Sequence, residues 1–286
     1  MGWKLAVGAL VDEDKRPEGL LASPFSGIAP YYDALMWDID YVGWIDYTLK
    51  LCEKFSLKPK RVLDLACGTG TCCIILSEKG YEVVGIDGSR EMLEVARRKT
   101  ESQNSRVKLV RGDMRSFTLE ESVDLVTCIF DSINYILHEN ELESCFRSVN
   151  SVLSLGGLFI FDLNTDYGLS TFWSGATVVR DERGVLSIWK NSYDTRAKVA
   201  RLDLTVFAKE GELYRRVDEV HLERSYSSEQ LKSRLKSAGF EATYLYHHLT
   251  FSKPSRTSKR IMVVAKKGGG VGREARTTKV RPGTSQ

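Results

Sequence analysis

No stretch of this sequence is apolar for long enough to cross a membrane, which takes about 20 residues in a helix. Near the N-terminus residues 5–10 are apolar, but the stretch is short and three acidic residues, 12–14, follow it closely. A secretory signal is longer and differently flanked, so we expect no targeting segment and no membrane partner.

The sequence also lacks any Cys-x-x-Cys pair, although it contains six cysteines. Zinc sites and thioredoxin-like redox motifs are usually built on such pairs, so we predict no metal centre. Most of the cysteines fall in predicted strands and core helices. We interpret them as reduced core residues, as is typical of a cytoplasmic protein.

A basic run is missing from the body of the chain. The formal net charge is +3, but residues 266–286 alone carry +5, so residues 1–265 sum to −2. A mildly acidic body lacks the basic face that phosphate contacts need, which argues against a nucleic-acid partner. We predict that 266–286 is a disordered basic tail, and that 1–27, which is charged and contains Pro17 and Pro24, is a flexible segment.

What the sequence does contain is a regular alternation of strand and helix patterns. Buried-strand patterns near 61–66, 81–87, 107–111, 123–130 and 158–163 alternate with helical patterns, and two more strands are predicted near 240–247 and 260–265. Such alternation predicts an α/β fold, a doubly wound Rossmann-like sheet of seven strands with helices on both faces. Two N-terminal helices are expected near 28–37 and 41–55.

The pattern changes between residues 177 and 226. Leu202, Leu204 and Val206 alternate there with polar residues, and helical periodicity is absent. We therefore expect an antiparallel β insertion of three or four strands, which divides the core into residues 28–176 and 227–265.

The segment Val62-Leu-Asp-Leu-Ala-Cys-Gly-Thr-Gly70 carries the strongest signal for function. A buried strand ends here in a glycine-rich turn, and the next strand ends 17 residues beyond it in Asp87. Glycines let the backbone approach a ligand closely, and a carboxylate at the end of the neighbouring strand suits a ribose diol. The sequence thus predicts a nucleotide pocket at the carboxyl end of a parallel sheet.

Two further segments extend this motif to a resemblance with a known family. With Gly112-Asp113-Met114 and Phe130-Asp131-Ser-Ile-Asn-Tyr135, residues 28–265 resemble the class I S-adenosylmethionine-dependent methyltransferases. The resemblance implies an enzyme that binds S-adenosylmethionine and releases S-adenosylhomocysteine. It implies a cofactor site formed by Tyr32, Trp44, Asp64, Ala66, Gly68, Gly70, Asp87, Asp113, Met114 and Phe130.

The polar and small residues of this set have expected contacts. The resemblance implies that Asp87 accepts hydrogen bonds from both ribose hydroxyls and that Asp113 accepts one from the adenine amino group. Gly68 and Gly70, like the small Ala66, would leave room for the methionine portion. Asp64 would orient the loop and face the ammonium group of the ligand.

The larger side chains have different expected contacts. Tyr32 and Trp44, on the predicted N-terminal helices, are expected at the methionine end, because a sulfonium cation is attracted to aromatic faces. Met114 would pack on the adenine ring, and Phe130 and Asp131 would line the methyl-donor side.

Methyl transfer is an in-line displacement, so the protein must align the acceptor and, where needed, remove its proton. The sequence offers three candidate general bases. His138 follows the fourth strand, whereas Glu219 and His221 lie two residues apart on a predicted strand of the insertion and so share one face. The insertion is well placed to cover the acceptor, which makes Glu219 and His221 candidate catalytic residues. His138 is a third candidate because it stands at the entrance to a helix after that strand.

The insertion is similar to the β lid of small-molecule methyltransferases, including glycine- and amino-sugar-type N-methyltransferases. We therefore expect transfer to a nitrogen or oxygen of a small molecule. Two alternatives stay open, a tRNA or rRNA methyltransferase and a non-catalytic S-adenosylmethionine-binding protein that acts through a partner. A nicotinamide-dependent oxidoreductase fits less well, since Cys73 stands where its fingerprint needs a third Gly or Ala. The sequence leaves the oligomeric state open.

Overall fold

The computed structural model describes residues 23–172, 175 and 177–268. Most of the predicted flexible N-terminal segment and most of the predicted basic tail lie outside these residues. The described chain forms two β-sheets, and helices cover both faces of the larger one. No described helix is both long enough and apolar enough to cross a membrane.

The larger sheet has seven strands. They are β1 (Arg61–Leu65), β2 (Glu82–Asp87), β3 (Lys108–Arg111), β4 (Val123–Cys128), β5 (Leu153–Asn164), β10 (Phe240–His247) and β11 (Arg260–Lys267). Their order is β10-β11-β5-β4-β1-β2-β3. Neighbouring strands from β5 to β3 are parallel, whereas β11 is antiparallel to both of its neighbours. The predicted seven-stranded Rossmann-like sheet is therefore confirmed.

Helices pack on the two faces of this sheet. The described α-helices are α1 (Tyr32–Leu35), α2 (Tyr41–Lys54), α3 (Thr71–Glu78), α4 (Arg90–Ser102), α5 (Glu139–Val152), α6 (Asp166–Phe172) and α7 (Ser228–Ser237). Of these, α1 packs against the smaller sheet instead. On one face α2 and α3 contribute Leu51 and Leu76 to a buried cluster, and on the other α5 and α7 contribute Phe146 and Leu231. Because both faces are covered, the central strands read as nearly continuous apolar runs.

The smaller sheet is antiparallel and has four strands. They are β6 (Thr177–Glu182), β7 (Val185–Asp194), β8 (Val199–Glu210) and β9 (Leu213–Arg224). Leu202, Leu204 and Val206 of β8 are buried, and they share a cluster with Ile28 and Leu35 from the N-terminal helical region. The predicted antiparallel insertion is thus confirmed, and we call this sheet the lid.

Two segments at the ends of the described chain differ from the sequence prediction. Residues 23–27, assigned to the flexible segment, pack against the lid, where the N–H groups of Phe25 and Gly27 donate to Glu219. Lys266 and Lys267 belong to β11 rather than to a disordered tail. Local charge and proline content could not reveal these contacts, because their partners lie far away in the sequence.

Candidate functional site

The turn between β1 and α3 forms one wall of the candidate site. Ala66, Gly68 and Gly70 have left-handed backbone conformations, with φ of 58°, 54° and 77°. A Cβ on Gly68 would have no protein atom within 4 Å, whereas a Cβ on Gly70 would lie 3.0 Å from the Cβ of Ala96. Gly68 therefore leaves open space for a ligand, and Gly70 instead lets α3 approach α4.

Asp87 ends β2 beside this turn. One of its carboxylate oxygens accepts the N–H of Gly68 at 2.8 Å, and the other accepts the N–H of Ser89 at 2.8 Å. Burial raises the pKa of the Asp87 carboxyl, and the two amides act in the opposite direction. Since a carboxylate has about four acceptor positions, positions remain for the hydroxyl groups of a ligand.

A cleft of about 1230 Å³ opens between this edge of the large sheet and the lid. Ligand pockets commonly measure roughly 300–1,000 Å³, so the cleft has room for a nucleoside-sized cofactor and a second small molecule. Of the residues predicted from sequence, those lining it are Tyr32, Asp64, Ala66, Gly68, Asp87, Asp113, Met114, Phe130 and His221. The other four predicted residues lie elsewhere in the fold.

Two carboxyl groups of the cleft have opposite surroundings. Asp64 is 2% exposed, and burial raises its pKa to about 6 although the hydroxyl of Thr127 donates a hydrogen bond to it at 2.7 Å. Burial also disfavours the charge of Asp113, but hydrogen bonds from Arg115 outweigh this effect and lower the Asp113 pKa. Asp64 is thus a dry group within the cleft, whereas Asp113 is a more exposed, ionised acceptor.

Trp44 supports the cleft from behind. Its ring is 6% exposed and lies 4.6 Å from the ring of Phe130, measured between centroids. Phe130 and Asp131 are both left-handed, with φ of 63° and 54°. Non-glycine residues in this conformation cost free energy and concentrate at functional sites. Phe130 lines the cleft, whereas Trp44 lies behind it. The predicted cofactor contact of Trp44 is therefore not supported.

His138 lies away from the cleft. It precedes α5 and lines a separate shallow depression with Glu139, Arg224 and Arg234. A 3-10 turn over Ser132–Tyr135 lies in the connection between β4 and α5, and His138 is the last residue of this connection. The strand-then-helix pattern did not reveal this turn, so the expectation that His138 faces the acceptor is wrong.

Glu219 is buried and holds backbone amides. It is 1% exposed and accepts the N–H groups of Phe25 at 2.8 Å, Gly27 at 2.7 Å and Ile28 at 3.0 Å. Its Oε2 also lies 3.1 Å from Nε2 of His221. Because both oxygens are engaged, Glu219 is placed to hold residues 23–28 against the lid rather than to take a proton from an acceptor. We call residues 23–28 the strap.

His221 does reach the cleft, and two of its neighbours there, Tyr135 and Glu223, had no role in the sequence analysis. Its Nδ1 lies 3.2 Å from the hydroxyl of Tyr135. Glu223, two residues further along β9, also lines the cleft, as does Asp131. The period-two spacing of 219, 221 and 223 was a usable signal for Glu223. The place of Tyr135 depends on the 3-10 turn, for which the pattern gave no sign.

Comparison with known proteins agrees with this architecture. Residues 62–157 match a family model described as a methyltransferase domain. YqeM of Bacillus subtilis, a candidate methyltransferase, is 33% identical over 244 residues, which covers 85% of this chain and 97% of YqeM. The dTDP-3-amino-3,4,6-trideoxy-alpha-D-glucopyranose N,N-dimethyltransferase of Streptomyces venezuelae is 28% identical over 221 residues, 73% of this chain and 90% of that protein.

Solved structures show the same relationship. An S-adenosylmethionine-dependent methyltransferase from Clostridium acetobutylicum is 32% identical, with a TM-score of 0.77 over 85% of this chain and 98% of that one. The CcbJ methyltransferase of Streptomyces caelestis, at 20% identity, shares the fold with a TM-score of 0.71 over 86% of this chain and 98% of its own. The chain therefore belongs to the S-adenosylmethionine-dependent methyltransferases and is a methyltransferase.

Proposed function

We propose that this chain binds S-adenosylmethionine in the cleft and transfers its methyl group to a nitrogen or oxygen of a small molecule. The main support for this cofactor site is the position of Asp87. The carboxylate of Asp87 is held by the Gly68 N–H, beside open space at Gly68 itself. A fixed carboxylate next to a turn that a ligand can approach closely suits a ribosyl group.

The residues present fit the rest of this cofactor. The open turn 66–68 would take the methionine portion, and Asp87 would accept the two ribose hydroxyls. Asp113 and Met114 line the cleft beyond the end of β3 and would hold the adenine. Because Arg115 keeps Asp113 ionised, this carboxylate stays an acceptor for an amino group.

When bound, S-adenosylmethionine supplies a methyl group that is activated by a positively charged sulfur. The residues of this chain would align the acceptor and exclude water. Trp189, Leu202 and Leu204 of the lid and Phe25 of the strap form an apolar part of the cleft wall. Holding two reactants in line contributes roughly 7–11 kcal/mol to lowering a barrier, so positioning alone can account for much of the rate.

The enclosed cleft supports a small acceptor over a nucleic acid. The lid and the strap both contribute to its walls, which suits a molecule held inside rather than a long polymer. Residues 1–265 sum to a charge of −2, which does not favour phosphate contacts. By its name, the relative from Streptomyces venezuelae methylates a nucleotide-linked amino sugar, and we extend to this chain only the small size of the acceptor.

Cofactor binding is tested by calorimetric titration of S-adenosylmethionine and S-adenosylhomocysteine into the wild type and Asp87→Ala. We expect at least about tenfold weaker binding in the variant, because charge-assisted hydrogen bonds contribute about 1.5–3 kcal/mol each. Asp181→Ala, which changes an exposed aspartate of the lid, serves as the matched control. Equal affinity in all three proteins would contradict the proposed cofactor site.

The acceptor class is tested separately with tritiated S-adenosylmethionine. Pools of small amines, phenols, alcohols and carboxylic acids are offered beside bulk tRNA and rRNA. We expect label in a small-molecule pool and none in the RNA. Label in the RNA alone would contradict a small-molecule acceptor, and tight cofactor binding without transfer to any pool would favour the non-catalytic alternative.

A further inference from the structure

The lid-facing end of the cleft carries a cluster of polar side chains from two separate parts of the chain. Asp131 follows β4, Tyr135 lies in the 3-10 turn, and His221 and Glu223 come from β9 of the lid. All four line the cleft, beside an apolar wall that includes Leu202 and Leu204. This end of the cleft therefore presents a polar corner within an otherwise apolar acceptor space.

Hydrogen bonds fix the two carboxyl groups of this corner next to each other. The side-chain amide of Asn164 donates to Oδ2 of Asp131 at 2.7 Å and to Oε2 of Glu223 at 2.9 Å. Asn134 ties the same region together, since its amide donates to the backbone oxygens of Asn164 at 3.0 Å and Arg224 at 2.8 Å. The lid strand and the large sheet are thus joined at the point where Asp131 meets Glu223.

The corner contains more carboxyl groups than cations. Asp131, Asp162 and Glu223 meet there, and in the described part of the chain the cation in contact with them is Arg260. Its Nη1 lies 3.2 Å from Oδ1 of Asp131 and 2.8 Å from Oδ2 of Asp162. Buried charges that lack a partner are costly, so a corner with this composition must take up a proton or a cation.

Among the described residues, Glu223 is the one of these three carboxyl groups that has no direct ion pair with Arg260, although the positive charge of Arg260 acts on it from further away. It is 2% exposed, and burial together with the charge of Asp131 raises its pKa well above the usual range for glutamate. A carboxyl with a raised pKa is better matched to the pKa of an amine than an exposed one, which makes proton transfer between them easier. The guanidinium of Arg260 faces Asp131 and Asp162, and Tyr135 and His221 complete the surroundings on the cleft side.

We propose that the methyl acceptor is a primary or secondary amine, that its nitrogen binds at the Asp131–Glu223 pair, and that Glu223 takes its proton. This inference rests on the proposed function of the cleft. The excess of carboxyl groups selects an ammonium ion over a neutral alcohol and disfavours phenolate and carboxylate acceptors, which would add negative charge. The apolar wall around the pair suits an amine carried on a small hydrocarbon or ring.

Protons and electrons balance in the proposed methyl transfer. Glu223 holds a proton in the ligand-free cleft and releases it to solvent when the ammonium form of the acceptor binds, because the cation offsets the charge of the two carboxyl groups. The bound ammonium ion then gives one proton to the Glu223 carboxylate and becomes a neutral amine. The nitrogen lone pair forms the new bond to the methyl carbon while the carbon–sulfur bond breaks and its electron pair stays on sulfur. The product leaves as a methylated ammonium ion, and Glu223 keeps the proton it received until the next ammonium ion binds.

The test compares Glu223→Gln with the wild type, with Glu212→Gln on the exposed end of the lid as the matched control. The probes are cyclohexylamine and benzylamine, beside cyclohexanol and benzyl alcohol, which have the same carbon skeletons. For the wild type we expect methyl transfer to the amines and not to the alcohols. In Glu223→Gln we expect kcat/KM for the amines to fall by about a hundredfold near neutral pH, the size typical of a lost general base.

Two further measurements separate proton transfer from a purely structural effect. The deficit of Glu223→Gln should shrink as pH rises, because amines with a pKa of about 10 then lose their protons in solution. In calorimetry with S-adenosylhomocysteine present, cyclohexylamine should bind the wild type about tenfold tighter than cyclohexanol, and Glu223→Gln should lose this preference. Asp131→Asn, which suits the left-handed backbone of this position, should weaken amine binding in the same way.

The proposed function and this inference fail in different ways. If the wild type does not bind S-adenosylhomocysteine, the proposed function fails. The amine inference is overturned if the cofactor binds but the amine binds no tighter than the alcohol. It is also overturned if Glu223→Gln retains wild-type kcat/KM for the amines, or if its main effect is a loss of cofactor affinity.

Discussion

At the scale of single residues, the loop after β1 uses the same residue type for two purposes. Gly68 and Gly70 both have left-handed φ, which costs a non-glycine residue about 1–2 kcal/mol. Only Gly68 of the two lines the cleft, whereas Gly70 faces Ala96 of α4. A glycine motif that is read as one binding feature therefore combines ligand access with helix packing.

Alanine substitutions distinguish the two glycines. We expect Gly68→Ala and Gly70→Ala each to lower the free energy of unfolding by about 1–2 kcal/mol, because both place a Cβ on left-handed backbone. Gly68→Ala should also weaken S-adenosylhomocysteine binding, since the new methyl group would lie in the cleft, and Gly70→Ala should not. Urea denaturation and calorimetry provide the two readouts. Weaker binding in Gly70→Ala alone would show that the roles are reversed.

Residues whose position depends on their own strand could be located from sequence. Asp87 ends a strand and Asp113 follows one, so the strand pattern alone places both at the carboxyl edge of a parallel sheet. His138 and Glu219 could not be placed in this way. What Glu219 faces is decided by the strap, whose first contact, Phe25, lies 194 residues away in the sequence.

At the scale of elements, the strap connects the lid to the large sheet. Glu219 of β9 holds its N–H groups, and the hydroxyl of Ser89 donates to the backbone oxygen of Phe25 at 2.9 Å. Ser89 also caps α4, because its side chain accepts the N–H of Met92 at 3.1 Å. The strap is thus fixed on one side by the lid and on the other by the loop that follows Asp87.

Removal of the Glu219 carboxylate should release the strap. In Glu219→Ala we expect amide hydrogen exchange at Phe25, Gly27 and Ile28 to become at least about tenfold faster, because hydrogen bonds to a charged group contribute about 1.5–3 kcal/mol each. Exchange within β1 and β4 should stay slow. The exposed lid variant Glu212→Ala controls for a general loosening of the lid. If the strap amides remain protected in Glu219→Ala, the strap is held by something other than this carboxylate.

The ends of helices and strands can be predicted from sequence where a local feature, such as a capping residue, marks them. Serine is a favoured N-cap residue, and Ser89 and Ser227 cap α4 and α7, the second in a capping box with Gln230. The fourth strand was predicted to reach residue 130, but it ends at Cys128. The apolar run continues past this point, and only the left-handed turn at Phe130 ends the strand, which hydrophobicity does not reveal.

At the scale of the whole molecule, the strand order creates the cleft and the insertion covers it. The chain proceeds from β1 to β2 and β3 in one direction and from β4 to β5 in the other, so a crevice is left where β1 and β4 are adjacent. The lid, inserted between β5 and β10, returns across this crevice. As a result Asp64 of the sheet and Glu223 of the lid both line a single cleft, although they lie far apart in the sequence.

Buried carboxyl groups near this cleft should make the stability of the ligand-free protein depend on pH. Burial raises the pKa of Asp64 and of Asp162 to about 6, against about 3.9 in an unfolded chain. The folded state therefore retains protons that the unfolded chain has released. Their contribution to stability is complete below about pH 4 and is lost as pH rises through about 6.

We expect the free energy of unfolding to fall between about pH 5 and about pH 7, with each of these two carboxyls contributing about 1 kcal/mol to the fall. Asp64→Asn cannot titrate, so its profile should be flatter by that amount, whereas Asp181→Asn on the exposed lid should follow the wild type. Surface carboxyls such as Asp218, whose pKa is lowered by a hydrogen bond from Arg216, change stability only at more acidic pH. Urea denaturation across this pH range measures the slope. An Asp64→Asn profile as steep as that of the wild type would mean that Asp64 is already ionised in the folded protein.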